Sequence, residues 1–361
     1  MSESRQTGTT RRASGSSNPE YVNSRVRARR AALFDEEDYR KLVRMGTGEI
    51  ARYMEETEYE TEMNALGARH SGVDLIEYAL NRNLAKHFHD MLSWAEGRLY
   101  EQIANYLRKF DAWNAKTAIR GIYSGASADN IETDYIRAGE FDDDLLDQLA
   151  AAGSVEEAVE LLSDTIFEEG LAAAYAEFEE ADVLVPLENA IDKTFYEHLL
   201  DGTDARADRN SPEGLYREVL QAEIDFRNVR NALRLAGTGT DLDPEGYYIE
   251  GGRLFDRGEL RQLVGSFDDL VEFIRESTYG DDLTDALAAL EEADSLIQFE
   301  QALDSALLEY SDTLSYTYPI SICSALSYIL AKEREIENIR AIARGREVGL
   351  SVEEIEEELV T

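Results

Sequence analysis

The sequence predicts an all-α protein made of three copies of one helical bundle, each about 110 residues long. Three observations carry that expectation. The stretches FDAWNAKTAIRG at 110–121, IDFRNVRNALRL at 224–235 and REIENIRAIARG at 334–345 are versions of one helix, and self-similarity at a fixed period marks a repeat architecture. Apolar residues recur at three and four positions, as in AVELLSDTIFEEGLAAAYAEF at 158–178, and no run alternates as a half-buried strand does. Only five prolines interrupt 361 residues, which leaves room for long antiparallel helices.

In chain order, residues 1–19, rich in Ser, Thr, Gly and Arg, read as a disordered tail. Each copy then opens on Phe-Asp with apolar residues five and eight positions after the Phe: Phe34, Asp35, Tyr39 and Leu42; Phe141, Asp142, Leu146 and Leu149; Phe255, Asp256, Leu260 and Leu263. An aspartate there is placed to cap a helix whose next turns carry the apolar pair. A Thr before an aromatic follows, at Thr57 and Tyr59, at Thr165 and Phe167, and at Thr278 directly before Tyr279, where the spacing slips by one. Third comes Glu-x-Ala-aliphatic-Asp/Asn, from Glu77 to Asn81, Glu188 to Asp192 and Glu300 to Asp304.

Each copy closes on acid-x-x-Asn-x-basic-x-x-x-Arg: Asp111, Asn114, Lys116 and Arg120; Asp225, Asn228, Arg230 and Arg234; Glu335, Asn338, Arg340 and Arg344. Four signatures in one order, 107 to 114 residues apart, make the chain a triplicated unit. Turn chemistry concentrates at GASADN, 125–130, and GTGTDLDPEG, 237–246. After each come Tyr-Ile and a glycine, at Tyr135, Ile136 and Gly139 and at Tyr248, Ile249 and Gly252. The expected units are residues 20–127, 128–239 and 240–349, followed by a closing helix over 350–361.

At about 100° per residue, the acid and Asn of the closing pattern share a face, roughly 60° apart, while the two basic positions lie roughly 140° and 180° from the acid. The structural reading has the acid and Asn bonding a neighbouring helix while the basic pair stays in water. The functional reading has three copies lining a central opening or meeting a partner on its axis. The two are compatible.

Charge is the outlier: 75 acidic against 36 basic residues, only six of them lysine, give a net of −39. Such a surface suits molar salt, which screens charge over a few ångströms, and repels itself in dilute buffer. It also argues against broad nucleic-acid binding, because no long basic face is available for phosphates. The local exception is RVRARR, Arg25 to Arg30. On helical spacing it reads as a solvated face, and contact with RNA or anionic lipid would rest on this one short cluster.

A single cysteine, Cys323, sits among apolar residues as a small buried hydrophobe and fits a reducing compartment. Arg11 and Arg12 lack the apolar stretch that a twin-arginine signal needs. From Thr313 to Ala331 there are 19 residues without a charge, but hydroxyls and Pro319 make the segment too polar to span a membrane. A helix buried on most sides is expected there instead.

Catalytic signatures are missing from the sequence. Lys116-Thr117 has no glycine loop before it, so no phosphate cradle is predicted. The four histidines are His70, His87, His89 and His198, and on a helix the rings of His87 and His89 point roughly 200° apart. No Glu stands three residues before any of them, which removes the di-iron helix-bundle signature. No cofactor, metal or small-molecule substrate is expected. A generic helical-repeat scaffold predicts shorter units of roughly 34 to 47 residues, and a bundle enzyme predicts a titratable cluster in one copy alone.

YVNSRVRARRAALFDEEDYRKLV near the start, YLRKFDAWNAKTAIRGIYSG closing the first copy and YILAKEREIENIRAIARG closing the third resemble the C subunit of archaeal A-type and related V-type ATP synthases, known as the d subunit in eukaryotic vacuolar ATPases. The resemblance covers nearly everything after the tail. It implies an all-helical funnel of three pseudo-threefold lobes around a central opening. It further implies a peripheral place on the cytoplasmic face of the membrane, between the proteolipid rotor ring and the central shaft formed by the D and F subunits. The implied role is mechanical: ion-driven rotation of the ring passes through this socket to the shaft and powers ATP synthesis. The alternative is a helical scaffold or adaptor with no rotary role.

Overall fold

The computed structural model describes residues 16–238, 244–281, 283–284, 287–288 and 296–359. Most of the expected tail, with Arg11 and Arg12, and residues 239–243 of the second turn stretch lie outside the described residues. Among the described residues every regular element is helical.

The helices run in the order α1 (Pro19–Arg30), α2 (Glu36–Leu42), α3 (Thr47–Met54), α4 (Glu60–Leu66), α5 (Gly72–Trp94), α6 (Gly97–Leu107), α7 (Lys109–Ser124), α8 (Ala128–Thr133), α9 (Asp143–Ala151), α10 (Val155–Leu161), α11 (Glu168–Ala181), α12 (Val185–Asp201) and α13 (Pro212–Thr238). After a 3₁₀ turn at Pro244–Tyr247 come α14 (Arg257–Leu263), α15 (Phe267–Arg275), α16 (Leu296–Thr317), α17 (Cys323–Val348) and α18 (Val352–Glu356).

The backbone groups into two compact units, one of residues 1–117, 127–150 and 314–361, the other of residues 118–126 and 151–313. In the first, α17 packs against α5, α1, α2 and α3, and α5 packs in turn against α4 and α3. On α5, Val73, Ile76, Leu80, Leu84, Phe88 and Met91 recur at three and four positions and are all buried, the stripe that a helix needs to lie in a core. In the second, α11 and α12 form a hairpin and α13 packs on α12 and α15. Its core gathers Phe226, Val229, Leu233, Tyr248, Leu270 and Ile274. Asp182 ends α11 in the left-handed region, φ 51°, a conformation that a short polar side chain tolerates better than a bulky one.

The opening aspartates cap their helices. Asp35 Oδ1 accepts from the backbone N–H groups of Glu37 and Asp38 at 2.8 and 3.0 Å, Asp142 from Leu145 at 2.9 Å and Asp256 from Glu259 at 2.8 Å. Each satisfies a first-turn donor that the helix itself cannot.

Two expectations are corrected. GASADN is half helix: Gly125, at φ 75°, ends α7, and Ser127 at once caps α8 through the N–H of Asn130, 3.3 Å away. Residues 313–331 are not one buried helix. The first part ends α16 at Thr317, a turn follows, and α17 begins at Cys323, because Pro319 has no N–H to donate and crowds the preceding turn. The α17 part, with Cys323, Leu326, Tyr328 and Ile329, is buried as expected, whereas Tyr316 and Ile320 are 83% and 60% exposed.

Candidate functional site

The twelve residues of the closing pattern lie on α7, α13 and α17. The three acids are at most 3% exposed, and each binds backbone at the opening of another copy. Asp111 accepts from Glu140 and Phe141 N–H at 2.8 and 2.9 Å. Asp225 accepts from Arg253 and Leu254, both at 2.9 Å through one or other oxygen. Glu335 accepts from Phe34 N–H at 2.6 Å. The order is cyclic: the first closing helix holds the second opening, the second holds the third, and the third holds the first.

Gly139 and Gly252 are explained by these bonds. A Cβ on either would stand 2.1 Å from the Oδ1 of Asp111 or Asp225, so only glycine lets the backbone approach the carboxylate so closely. The first opening has no glycine there, with Ala31, Ala32 and Leu33 ahead of Phe34. Its acid is instead a glutamate, whose extra methylene spans a wider gap.

The asparagines hold the Tyr-Ile segments that the sequence marked only as boundaries. Asn114 donates to Ile136 C=O at 2.8 Å and accepts from its N–H at 2.9 Å, and Asn228 does the same to Ile249, both at 2.9 Å. Asn338, 1% exposed, hydrogen-bonds the hydroxyl of Tyr39. The three acids and two of the asparagines thus bind non-helical backbone, while Asn338 bonds a side chain on the neighbouring helix α2.

Five of the basic positions are paired, although Arg120, Arg234 and Arg344 remain more than half exposed, as expected. Arg120 makes a two-pronged pair with Glu188 at 2.5 and 2.9 Å, Arg234 pairs with Glu300 at 2.5 Å twice, and Arg344 pairs with Glu77. Arg230 pairs with Asp304, and Arg340 donates to Asn81 Oδ1 at 2.8 Å. The partners of Arg120, Arg230, Arg234, Arg340 and Arg344 are therefore the Glu and Asp/Asn of the third signature, in the same cyclic order. Pairing with Glu188 and Glu77 raises the pKa of Arg120 and Arg344, whereas burial lowers that of Arg340.

The slip at Thr278 also resolves. Tyr59 N–H reaches Thr57 Oγ1 at 3.4 Å and Phe167 N–H reaches Thr165 at 3.2 Å, while Tyr279 N–H reaches Ser277 at 3.1 Å. Ser277, not Thr278, holds the position, and the spacing is constant.

Sequence reasoning missed a buried cluster around Glu335. Lys332, with no exposed surface, donates to Glu335 at 2.7 Å and to the Tyr59 hydroxyl at 2.9 Å, and it pairs with Glu58. Tyr59 donates onward to Glu335 at 2.5 Å. Beside them His87 Nδ1 meets the Tyr328 hydroxyl at 2.5 Å. Burial pushes the His87 pKa down to about 2, leaving the ring neutral. The one signal available was a rare lysine just after an apolar run.

Histidines 87 and 89 diverge as the helical angle predicts, with His87 buried and His89 exposed. The arginine cluster is absorbed by the fold. Arg25 and Arg29 lie over Trp94, Arg29 pairs with Asp90 at 2.5 Å, Arg27 donates to Pro319 C=O at 3.2 Å, and Arg30 bonds Ser327.

A family profile described as ATP synthase (C/AC39) subunit matches residues 22–358. The chain belongs to that family. It is similar to the C subunit of the A-type ATP synthase of Haloferax volcanii, 65% identical over 350 residues that cover 96% of this chain and 98% of that one. The corresponding protein of Halobacterium salinarum is 59% identical over 348 residues, 96% and 99% of the two chains. That of Methanosarcina mazei is 34% identical over 351 residues, 96% and 94%. The family span takes in all three closing helices and all three openings. No helix among the described residues is long and apolar enough to cross a membrane.

Proposed function

We propose that this chain is the non-catalytic central-stalk component of an A-type ATP synthase, a socket that couples the proteolipid ring in the membrane to the central shaft formed by the D and F subunits. In this reading residues 20–127, 128–239 and 240–349 are three lobes about a pseudo-threefold axis, a funnel whose central opening receives the shaft. The protein sits peripherally on the cytoplasmic face of the membrane, and ion-driven rotation passes through it to power ATP synthesis. The closing-helix residues other than Lys116, eleven in all, act as clasps between successive lobes.

The observation that carries the reading is the cyclic order of these clasps within a chain of this family. A part that transmits torque must resist shear, and packed helices tied by buried hydrogen bonds do so better than loops. Cyclic clasping spreads load over three junctions.

The test is a tagged purification from detergent-solubilised membranes in molar potassium chloride, with mass spectrometry of what stays bound. Recovery of the proteolipid and of the shaft proteins is the expected result. A chain recovered alone and intact in the soluble fraction would remove the rotary role and leave a helical scaffold.

A further inference from the structure

A cavity of about 560 Å³ lies between α5 and the stretch from α8 to Arg137, within the first compact unit. That volume suits a small organic molecule. Arg137, on its lining, is held by Asp143 and Asp147 at 2.7 and 3.1 Å. Arg69 and Arg82 also line it, and among the described residues their guanidiniums make no ion pair or hydrogen bond. Asp129 and Glu132 face the same space without pairing with them. The rings of His70 and Tyr78, with centroids 4.3 Å apart, complete one wall.

The other copies serve as controls on this cavity. Tyr248 donates its hydroxyl to Phe255 C=O at 2.9 Å. Its counterpart Tyr135 lines the cavity at 3% exposure, and the buried hydroxyl there has no partner. A hydroxyl buried without a partner costs stability, and it needs an explanation. Asn81 stands where the other two copies have Asp192 and Asp304. The cavity therefore lacks, at that position, a carboxylate that would repel an anion.

We propose that this cavity binds a nucleoside monophosphate, a small-molecule site that the sequence does not predict. The phosphate dianion matches the charge of Arg69 and Arg82, whose planar guanidiniums take phosphate oxygens two at a time. The base lies against the rings of His70 and Tyr78, and its amino hydrogens are accepted by Asp129 or Glu132. The Tyr135 hydroxyl gains its missing partner in a ligand oxygen. Stacking and two-pronged hydrogen bonds act at contact distance, where screening by molar salt is weakest. A bare phosphate ion would leave most of the cavity unfilled and both rings unused.

The experiment titrates the full chain, in molar potassium chloride, with AMP, inorganic phosphate and adenosine by isothermal calorimetry. AMP should bind more tightly than either fragment. Arg82→Gln should weaken AMP about tenfold and Tyr135→Phe about fivefold. Because Tyr135→Phe removes a hydroxyl without a partner, thermal stability should not fall with it, and the lost affinity then reports the site and not the fold. Tyr248→Phe, which breaks the bond to Phe255, should lower the melting temperature and leave AMP binding unchanged. No binding of AMP at millimolar concentration, or an affinity that neither Arg82→Gln nor Tyr135→Phe alters, would overturn the proposal. Phosphate or adenosine binding as tightly as AMP would overturn it too, by reducing the site to an anion contact or to ring stacking.

Discussion

The junctions around Asp111 and Glu335 do the same work with opposite chemistry. Asp111 is held by two backbone N–H groups, and among the described residues no cation or hydroxyl bonds it. Glu335 has one backbone N–H, a tyrosine hydroxyl and a buried ammonium group. Burial raises the Asp111 pKa to about 7, against the partial relief of its two N–H bonds. One repeated acid can thus be a close steric fit at one joint and the centre of an ionic cluster at another, so equivalence in sequence does not predict equivalence in energetics.

The largest effect should come from the ionic joint. Lys332→Met leaves the buried Glu335 and the partly exposed Glu58 without their cation, and about 3–5 kcal/mol of stability should be lost. Denaturant titration in molar potassium chloride measures it. Adding Glu58→Gln should restore part of the loss, and no recovery would mean that Lys332 acts through packing alone.

The steric joint should be broken next by Gly139→Ala, whose Cβ would fall 2.1 Å from Asp111 Oδ1. A loss of about 1–3 kcal/mol is expected, with faster amide exchange at residues 139–141. Exchange that is unchanged there would separate the glycine from the acid.

A pH series sharpens the contrast. The Asp111 pKa is raised from 3.8 in the unfolded chain to about 7 in the folded one, so between those values the folded state holds a proton that the unfolded state lacks. This group's contribution to stability is therefore greatest below pH 3.8, falls as pH rises toward 7 and is constant above. The fall is about 1.4 kcal/mol per pH unit within the window. Asp111→Asn should flatten the melting-temperature slope between pH 5 and 7, and an unaltered slope would show that Asp111 titrates elsewhere.

The smallest effect belongs to the outer clasps. Arg234 is 54% exposed in its pair with Glu300, and Arg234→Gln should cost about 0.2–1 kcal/mol. A larger loss would place that pair among the principal supports of the fold.

Much of this was legible in the residues. Helical periodicity on α5 and the capping aspartates at 35, 142 and 256 depend on local rules, which a single sequence displays. What Asn114 and Asp111 bind was not legible, because their partners are backbone groups of Ile136, Glu140 and Phe141, and backbone carries no residue signature. Gly139 and Gly252 were visible as punctuation, but their role as gaps for a carboxylate needs the carboxylate in place. The arginines at 120, 234 and 344 read as solvated because their glutamates belong to the next copy in cyclic order. Pro319 splits the uncharged segment between Thr317 and Cys323, a local break that its apolar content outweighs when the segment is read as a whole. Lys332 was overlooked because burial of a lysine violates composition rules unless its partners are known.

The bond from Phe34 to Glu335 joins residues 301 positions apart, and the one from Tyr59 to Glu335 joins residues 276 apart. During synthesis the first copy leaves the ribosome long before the helix that completes it. At 5–20 residues per second that wait is on the order of fifteen to sixty seconds. Through that interval the faces of α1, α2 and α5 that will cover α17 remain open to water and to other chains. The opening copy is therefore the last to be finished, and the early-made surface most in need of protection in the cell is the one that the final segment covers.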